Sequence, residues 1–440
     1  VGYLEAVNGL LANGSFDVLL PTHEQAWLFA VAERELNPNA RIAVASAEAF
    51  SRVQSKIEFA RLLDELSLPQ PKWGLVDSPD ELAEWEPPFY LKTPFSTAGT
   101  GVRRVTKAGD SEEAFQSLRL ASNYGGLLMA QAAAPGEYAQ VQGLFDHGRL
   151  VAAHTSAQTA VGIGPSAAGR VSVDHPFARG DIAKLGAYLD WHGGLTLDYL
   201  FRGSDRVYIE CNPRAVEPAN AAASGVDLPG LQLALSPGEH PDEAPAGQSG
   251  VRTHSSLAIM LGAGAYVGTR RAVLAEAFRL LIGQSPNQES CEVLTPVFHD
   301  PPSAIPLLIV AGSLLMSPRS AERISNASIS KYSVSAEAIE RLSASLRRAK
   351  TSKATPDEYN DGYDCFRQLI QALYDEGFEE AAGRLDRLLN HTAWTTGSEL
   401  IGELGLAVRD FERTKPAMTS SLHESLKECK AAARRVWSRV

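Results

Sequence analysis

Residues 195–212 read "LTLDYLFRGSDRVYIECN", two apolar arms around a polar turn. A turn centred near Ser204 sets Asp198 opposite Glu210 and Thr196 opposite Asn212. Strand alternation then puts Asp198, Glu210 and Asn212 on one face. Leu197, Ile209 and Cys211 point the other way, toward a core, and a turn slipped by one residue would change that register. Two carboxylates facing each other on a sheet repel. A divalent cation relieves the repulsion, and Mg²⁺ accepts Asp, Glu and Asn oxygens while keeping positions for substrate phosphates. Arg214 follows at the strand end, and its planar fork suits phosphate oxygens. Pro213 fixes the direction of exit. The same residues would also serve as a solvated strand face with an incidental pair from Glu210 to Arg206 or Arg214.

A second stretch, "YLKTPFSTAGTGVRRV", puts Lys92 on a strand and follows it with a small, flexible loop. Gly99, Thr100 and Gly101 free backbone N–H groups to wrap phosphate, and Ser96, Thr97 and Thr100 add hydroxyls. No GxxxxGK[ST] is present, so this is not a Walker A loop. "GIGPSA" lacks the last glycine of a dinucleotide fingerprint and the strand that should precede it. Alone, a lysine and a glycine-rich turn also describe an ordinary hairpin.

These residues need a scaffold. In the first seventy residues "FDVLLP" and "RIAVAS" read as strands, "THEQAWLFAVAEREL" as a helix, and "EAFSRVQSKIEFARLLDELSL" as one long amphipathic helix. Strand, helix, strand, helix predicts a parallel α/β unit over 1–70. A strand ahead of Val1 would complete it, and a start without Met leads us to expect a truncated or processed N-terminus. From Phe89 the texture is strands linked by glycine turns, with helical stretches at "DSEEAFQSLRLASNY" and "FARGDIAKLGAYLDWHG". "GLFDHGRLVA" reads as a hairpin turning at Asp146 to Gly148. This predicts an α+β region with a largely antiparallel sheet over 71–240. Residues 241–330 continue the same core after the Pro/Gly/acidic loop "SPGEHPDEAPAGQSG". Residues 331–440 are expected to be helical. Thr355, Pro356 and Glu358 give a helix start, Phe366, Leu369, Ile370 and Leu373 an apolar face, and Gly377 a stop. That region would serve a homodimer contact or pack on its own chain.

The whole chain bounds its partners. Its 440 residues exceed one compact core. A net charge of -11 argues against nucleic acid or an anionic membrane as the main partner. No apolar run is long enough for a transmembrane helix. The four cysteines lie far apart without CxxC, against a disulfide framework or a structural zinc, and a reducing cytoplasm fits best.

Taken in order, Lys56, Lys92, the 96–101 loop, "LLMAQAAAPGEY", Asp198 and "IECNPR" resemble the ATP-grasp superfamily of ATP-dependent ligases, over about residues 15–330. The resemblance implies an ATP-grasp fold and ATP with Mg²⁺, or Mn²⁺, as cofactors. Lys56, opening "SKIEFARLLDEL", looks like the first phosphate-binding lysine, and Lys92 like the lysine reaching phosphate and the adenine edge. Gly99 to Gly101 look like the lid over the β- and γ-phosphates. Gln131, Ala132 and Ala134 fall in the hinge whose backbone reads adenine, and Glu137 at the ribose hydroxyls. Asp198, Glu210 and Asn212 look like the magnesium ligands, and Arg214 like the arginine steadying the transferred phosphoryl. The hinge commonly opens with Glu where this chain has Gln131. "PGEY" is one residue short of the commoner spacing, and many members have Glu at the position of Asp198. Singly, Lys56 also reads as a solvated helix lysine and Lys92 as a sheet-edge lysine.

What the family implies is activation of a small-molecule carboxylate as an acyl phosphate, then attack by an amine. For the acceptor carboxylate, Arg170 in "SAAGRVSVDHP" is the first choice, ahead of His154, Arg179 and His175. His23 and Glu24 in "PTHEQ", and Arg252 and His254 in "GVRTH", are further residues for the cleft. Thr22 as N-cap with Gln25 at N3 is the competing reading of "PTHEQ". Two alternatives stand beside a ligase: a catalytically silent nucleotide-binding or scaffold protein, and a bicarbonate-using carboxylase, for which no biotinyl carrier segment is present.

Overall fold

A computed structural model describes residues 2–12, 14, 16–37, 40–96, 99–122, 127–163, 167–281, 289–295, 300–329, 364–390, 397–414 and 418–436. The chain is mixed α/β and forms two compact units, Val1–Thr351 and Ser352–Val440. None of the described helices is long and apolar enough to cross a membrane.

The strands of the first unit form two sheets. The smaller contains β1 (Trp73–Val76), β2 (Phe89–Lys92), β3 (Val102–Val105) and β4 (Leu128–Ala132), in the antiparallel order β1-β4-β2-β3. Phe89, Leu91 and Ala130 from its strands bury with Phe115 and Leu118 of helix Ser111–Ser122. The larger contains β5 (Glu137–Asp146), β6 (Arg149–Val161), β7 (Ala167–Ser172), β8 (Gly193–Arg202), β9 (Asp205–Asn212), β10 (Arg252–His254) and β11 (Ser290–Glu292). Its order is β11-β10-β7-β6-β5-β8-β9, antiparallel except between β10 and β11.

One face of the larger sheet is apolar. Ala139, Val141, Leu195, Leu197 and Tyr199 bury there with Phe50, Phe59, Leu63, Ile182 and Trp191. Full burial of a Leu, Ile or Phe side chain contributes roughly 1.5–3 kcal/mol. A one-residue slip would exchange that face for its polar neighbours, so the register is strongly specified. The alternate positions Gln140, Gln142, Thr196 and Asp198 lie on the opposite face, which is also buried. Cross-strand pairing aligns Glu210, Asp198, Gln140 and Ser156 in one row, and Asn212, Thr196, Gln142 and His154 in the next.

The N-terminal stretch departs from the sequence expectation. "FDVLLP" and "RIAVAS" form no ladder and meet only at a parallel bridge, Val18 to Arg41, with Leu19 N–H donating to the Arg41 carbonyl at 2.9 Å. Joined by a single bridge, the two segments share few ladder bonds. The long helix is in fact two, Ala47–Gln54 and Lys56–Glu65, because Ser55 is extended (φ -79°, ψ 124°) and caps the second. Thr22 is not a cap. The helix Gln25–Val31 has Glu24 at that position, without a side-chain cap bond.

The second unit has helices Asp364–Asp375, Glu379–Asn390, Gly397–Arg413 and Ser420–Val436 among its described residues. The face formed by Phe366, Leu369, Ile370 and Leu373 buries against Leu385, Leu404, Val408, Leu422 and Leu426. Gly377, at φ +82°, lets Phe378 N–H return to the Leu373 carbonyl at 2.8 Å and stop the first helix. The expected start at Thr355 to Glu358 lies outside the described residues.

Candidate active site

The hairpin β8–β9 sets Thr196 opposite Asn212 and Asp198 opposite Glu210. Nearer the turn the pairing changes, with Tyr199 opposite Tyr208. Ile209 is therefore the extra residue of a β-bulge, half-buried rather than a core position. Lys92 Nζ donates to the Ile209 carbonyl at 3.2 Å and to Gln131 Oε1 at 2.6 Å. The lysine at the end of β2 thus bridges the smaller sheet to the larger one.

Lys56 reaches the same place from its helix start. Its N–H donates to the Pro94 carbonyl at 2.8 Å, just beyond β2. Its Nζ donates to the Ser96 carbonyl and hydroxyl, each at 3.1 Å, and lies 3.4 Å from Glu210 Oε1. The 96–101 loop folds back on its own stem, with Thr93 N–H donating to the Gly101 carbonyl at 2.9 Å. A Cβ at Gly101 would meet Thr93 Oγ1 at 2.1 Å and Ser96 Cβ at 2.5 Å, so only glycine fits. Gly99 has φ +75°. Thr97 lies outside the described residues, and Thr100 makes contacts within the loop region.

Burial and neighbouring charge set the electrostatics. Lys92 is pushed down to about 8, by burial first; Glu210 and Asp198 oppose this and the Lys56 cation adds to it. The Asp198 carboxyl is pushed up to about 7 by burial and then by the Glu210 charge, against the Tyr138 hydroxyl and the Arg170 and Arg214 cations. Asp198 Oδ2 accepts from Asn212 Nδ2 at 3.3 Å. Asp198 Oδ1 is shielded from solvent without a hydrogen-bond partner. A buried carboxylate with an unpaired oxygen, opposite a second carboxylate and beside an amide, is a hard-oxygen donor set that fits Mg²⁺.

Arg170 on β7 is buried. Its Nε and Nη2 donate to Glu217 Oε2 at 3.1 and 2.9 Å, while Nη1 is buried without a hydrogen bond. Arg214 Nη1 reaches the Ala215 carbonyl at 3.5 Å, and the guanidinium is close enough to lower the His23 pKa after burial has done so. Gln131 is buried on β4, Glu137 is exposed at the start of β5, and the N–H groups of Ala132 and Ala133 donate to the carbonyls of Lys72 and Pro88.

Most of the other cationic residues are held by other partners. Arg179 pairs with Glu243. His175 Nδ1 is 2.8 Å from the Tyr199 hydroxyl and its ring stacks on Phe177. His154 is 2.8 Å from Asn220 Oδ1 and is driven down to about 4, by burial first. His254 contacts Ser290, and Arg252 is exposed. Sequence reading missed Tyr138, Gln140, Glu217 and the Ile209 carbonyl. Alternation along β5 places Tyr138 and Gln140 on one face, but that this face adjoins Asp198 depends on β5 lying beside β8.

No family model matches the sequence, and no curated protein matches it. Among solved structures the chain is similar to a Campylobacter jejuni biotin carboxylase in a β-γ-ATP complex, at TM-score 0.48 and 18% identity over 57% of this chain and 60% of that one. It is similar to an Aspergillus clavatus carboxyaminoimidazole ribonucleotide synthase complexed with ATP, at TM-score 0.49 and 16% identity over 70% and 85%. A Thermotoga maritima phosphoribosylamine–glycine ligase gives TM-score 0.45 and 14% identity over 56% and 67%. The match spans only 60% of the length of the biotin carboxylase. These are likenesses of general architecture. In the order and placing of its lysines, glycine loop and paired carboxylates, the chain resembles the ATP-grasp superfamily.

Proposed function

We propose that the chain is a magnesium- and ATP-dependent ligase that activates a small-molecule carboxylate as an acyl phosphate and joins it to an amine. One observation carries this reading: Lys56 and Lys92, far apart in sequence, meet the Asp198–Glu210 pair beside a glycine loop. Two cations and two carboxylates around one place can hold a polyphosphate with its metal. Asp198, Glu210 and Asn212 would hold Mg²⁺, or Mn²⁺ in its place, which when bound neutralises phosphate charge. Lys56 and Lys92 bind phosphate oxygens, and Arg214 stabilises the phosphoryl group in transfer. Ser96, Thr97, Gly99, Thr100 and Gly101 cover the phosphates and keep water from the acyl phosphate. Gln131, Ala132 and Ala134 border the base, with the Ala132 and Ala133 N–H groups already engaged. Glu137 faces the ribose. Arg170, held on one side by Glu217, offers Nη1 to the acceptor carboxylate.

Release of ADP and phosphate should be screened against pooled amino acids, small carboxylic acids and bicarbonate, with product masses measured. We expect release to need one acid and one nucleophile together and to yield their condensation product. Nucleotide binding without turnover in any pool would overturn the ligase reading in favour of a silent nucleotide-binding protein.

The raised Asp198 pKa gives a second expectation. The folded state holds this proton up to about pH 7, whereas the unfolded state releases it near 3.9. The group therefore lowers stability progressively as pH rises between about 4 and 7, and the loss persists above that range. A cation on Asp198 competes with the proton. Mg²⁺ should raise Tm more at pH 8 than at pH 6, and equal shifts would remove Asp198 from the ligand set.

A further inference from the structure

The turn between β5 and β6 holds a second polar cluster. Asp146, which ends β5, is six positions beyond Gln140, the cross-strand neighbour of Asp198. At the rise of a strand that separation is roughly 20 Å. His147 and Gly148 make the turn with φ +46° and +75°. Those are type I′ values, which Asn-Gly or Asp-Gly would satisfy, so the turn itself does not require an imidazole.

The His147 ring stacks on His192, just before β8, with centroids 4.3 Å apart. The buried Asp146 carboxylate faces them both. Its Oδ2 accepts from Arg149 at 3.0 Å and lies 2.8 Å from His240 Nδ1. Its Oδ1 is 3.8 Å from His192 Nδ1, too far for a hydrogen bond. That nitrogen is shielded from solvent without a hydrogen-bond partner. One ligand atom each from Asp146, His147 and His192 lies within 4.8 Å of the other two. Tetrahedral ligands at about 2.0–2.1 Å from a zinc ion stand about 3.3 Å apart, so binding requires rotation of the exposed His147 ring and a small approach of His192 to Asp146.

We propose that Asp146, His147 and His192 bind a divalent transition-metal cation of the zinc class and so tie the β5–β6 turn to the segment before β8. Asp146 ligates through Oδ1, while Arg149 and His240 hold Oδ2 and orient the carboxylate. The imidazoles select zinc, nickel or cobalt over magnesium. With three protein ligands, the fourth position is left to water.

The test uses tag-free full-length protein carrying Glu210→Gln, which weakens the paired-carboxylate site as a competing metal binder. Zinc is titrated against a chromophoric chelator, and cobalt is added to read ligand-field absorption. We expect one equivalent of zinc to bind, a Tm that rises with zinc, and no displacement by millimolar magnesium. His147→Asn keeps a residue suited to the turn and should weaken zinc at least tenfold without lowering the zinc-free Tm; His192→Gln should weaken it similarly. No binding at micromolar zinc, or equal binding by both variants and their parent, would overturn the site.

Discussion

Glu210→Gln should reduce magnesium-dependent ADP release by more than about 100-fold, since even residues supporting a metal ligand cost 10–100-fold when changed. The amide keeps the volume of Glu210 and removes its charge. Lys56 then loses its partner at 3.4 Å, and the carboxylate facing Asp198 is gone. The fold should tolerate the change because the Glu210 side chain is 41% exposed and Lys56 Nζ keeps its hydrogen bonds to the Ser96 carbonyl and hydroxyl. ADP release at several magnesium concentrations, read beside Tm, separates the two effects. An unchanged rate would remove the metal assignment.

Lys92→Met should also abolish most turnover, yet leave the protein about as stable at neutral pH, or more so. A lysine pushed down from 10.5 to about 8 by burial is a charge the folded state holds at a cost of about 3 kcal/mol. Methionine removes that cost. It also leaves Gln131 Oε1 and the Ile209 carbonyl without the ammonium that now reaches both, and a buried unsatisfied group costs about 1–3 kcal/mol. The balance lies near zero. The pH dependence is more decisive. Between about pH 8 and 10.5 the unfolded wild type binds the proton that the folded state has lost, so wild-type stability should rise through that window relative to Lys92→Met. Denaturant unfolding of both proteins at pH 7 and pH 10 measures the difference. A constant gap would show that Lys92 is not perturbed, and full ADP release by the variant would remove it from the phosphate site.

Local patterns were legible in the sequence. The Asp198–Glu210 and Thr196–Asn212 pairs were named from a tight turn and a period of two, but the turn closes between Arg202 and Asp205, and only the bulge at Ile209 restores those pairs. The turn at Asp146 to Gly148 and the apolar face around Phe366 were readable on the same grounds. The bulge at Ile209 was not, because an inserted residue leaves no mark on composition or alternation, and it supplies the carbonyl that meets Lys92. The break at Ser55 has a capping serine as its signal, which a continuous apolar stripe masks in the sequence.

What the sequence alone determined is the chemistry available: two lysines, a glycine loop, a carboxylate pair and an arginine, each on a recognisable local element. Only the tertiary structure decided that β5 lies beside β8, bringing Tyr138 and Gln140 to Asp198, that Lys56 reaches Glu210, and that Glu217 holds Arg170. Neighbouring strands are selected by burial of a shared apolar face, here Ala139, Val141, Leu195 and Leu197. Burial is non-directional and nearly indifferent to which apolar strand supplies the area, so no single segment encodes the choice.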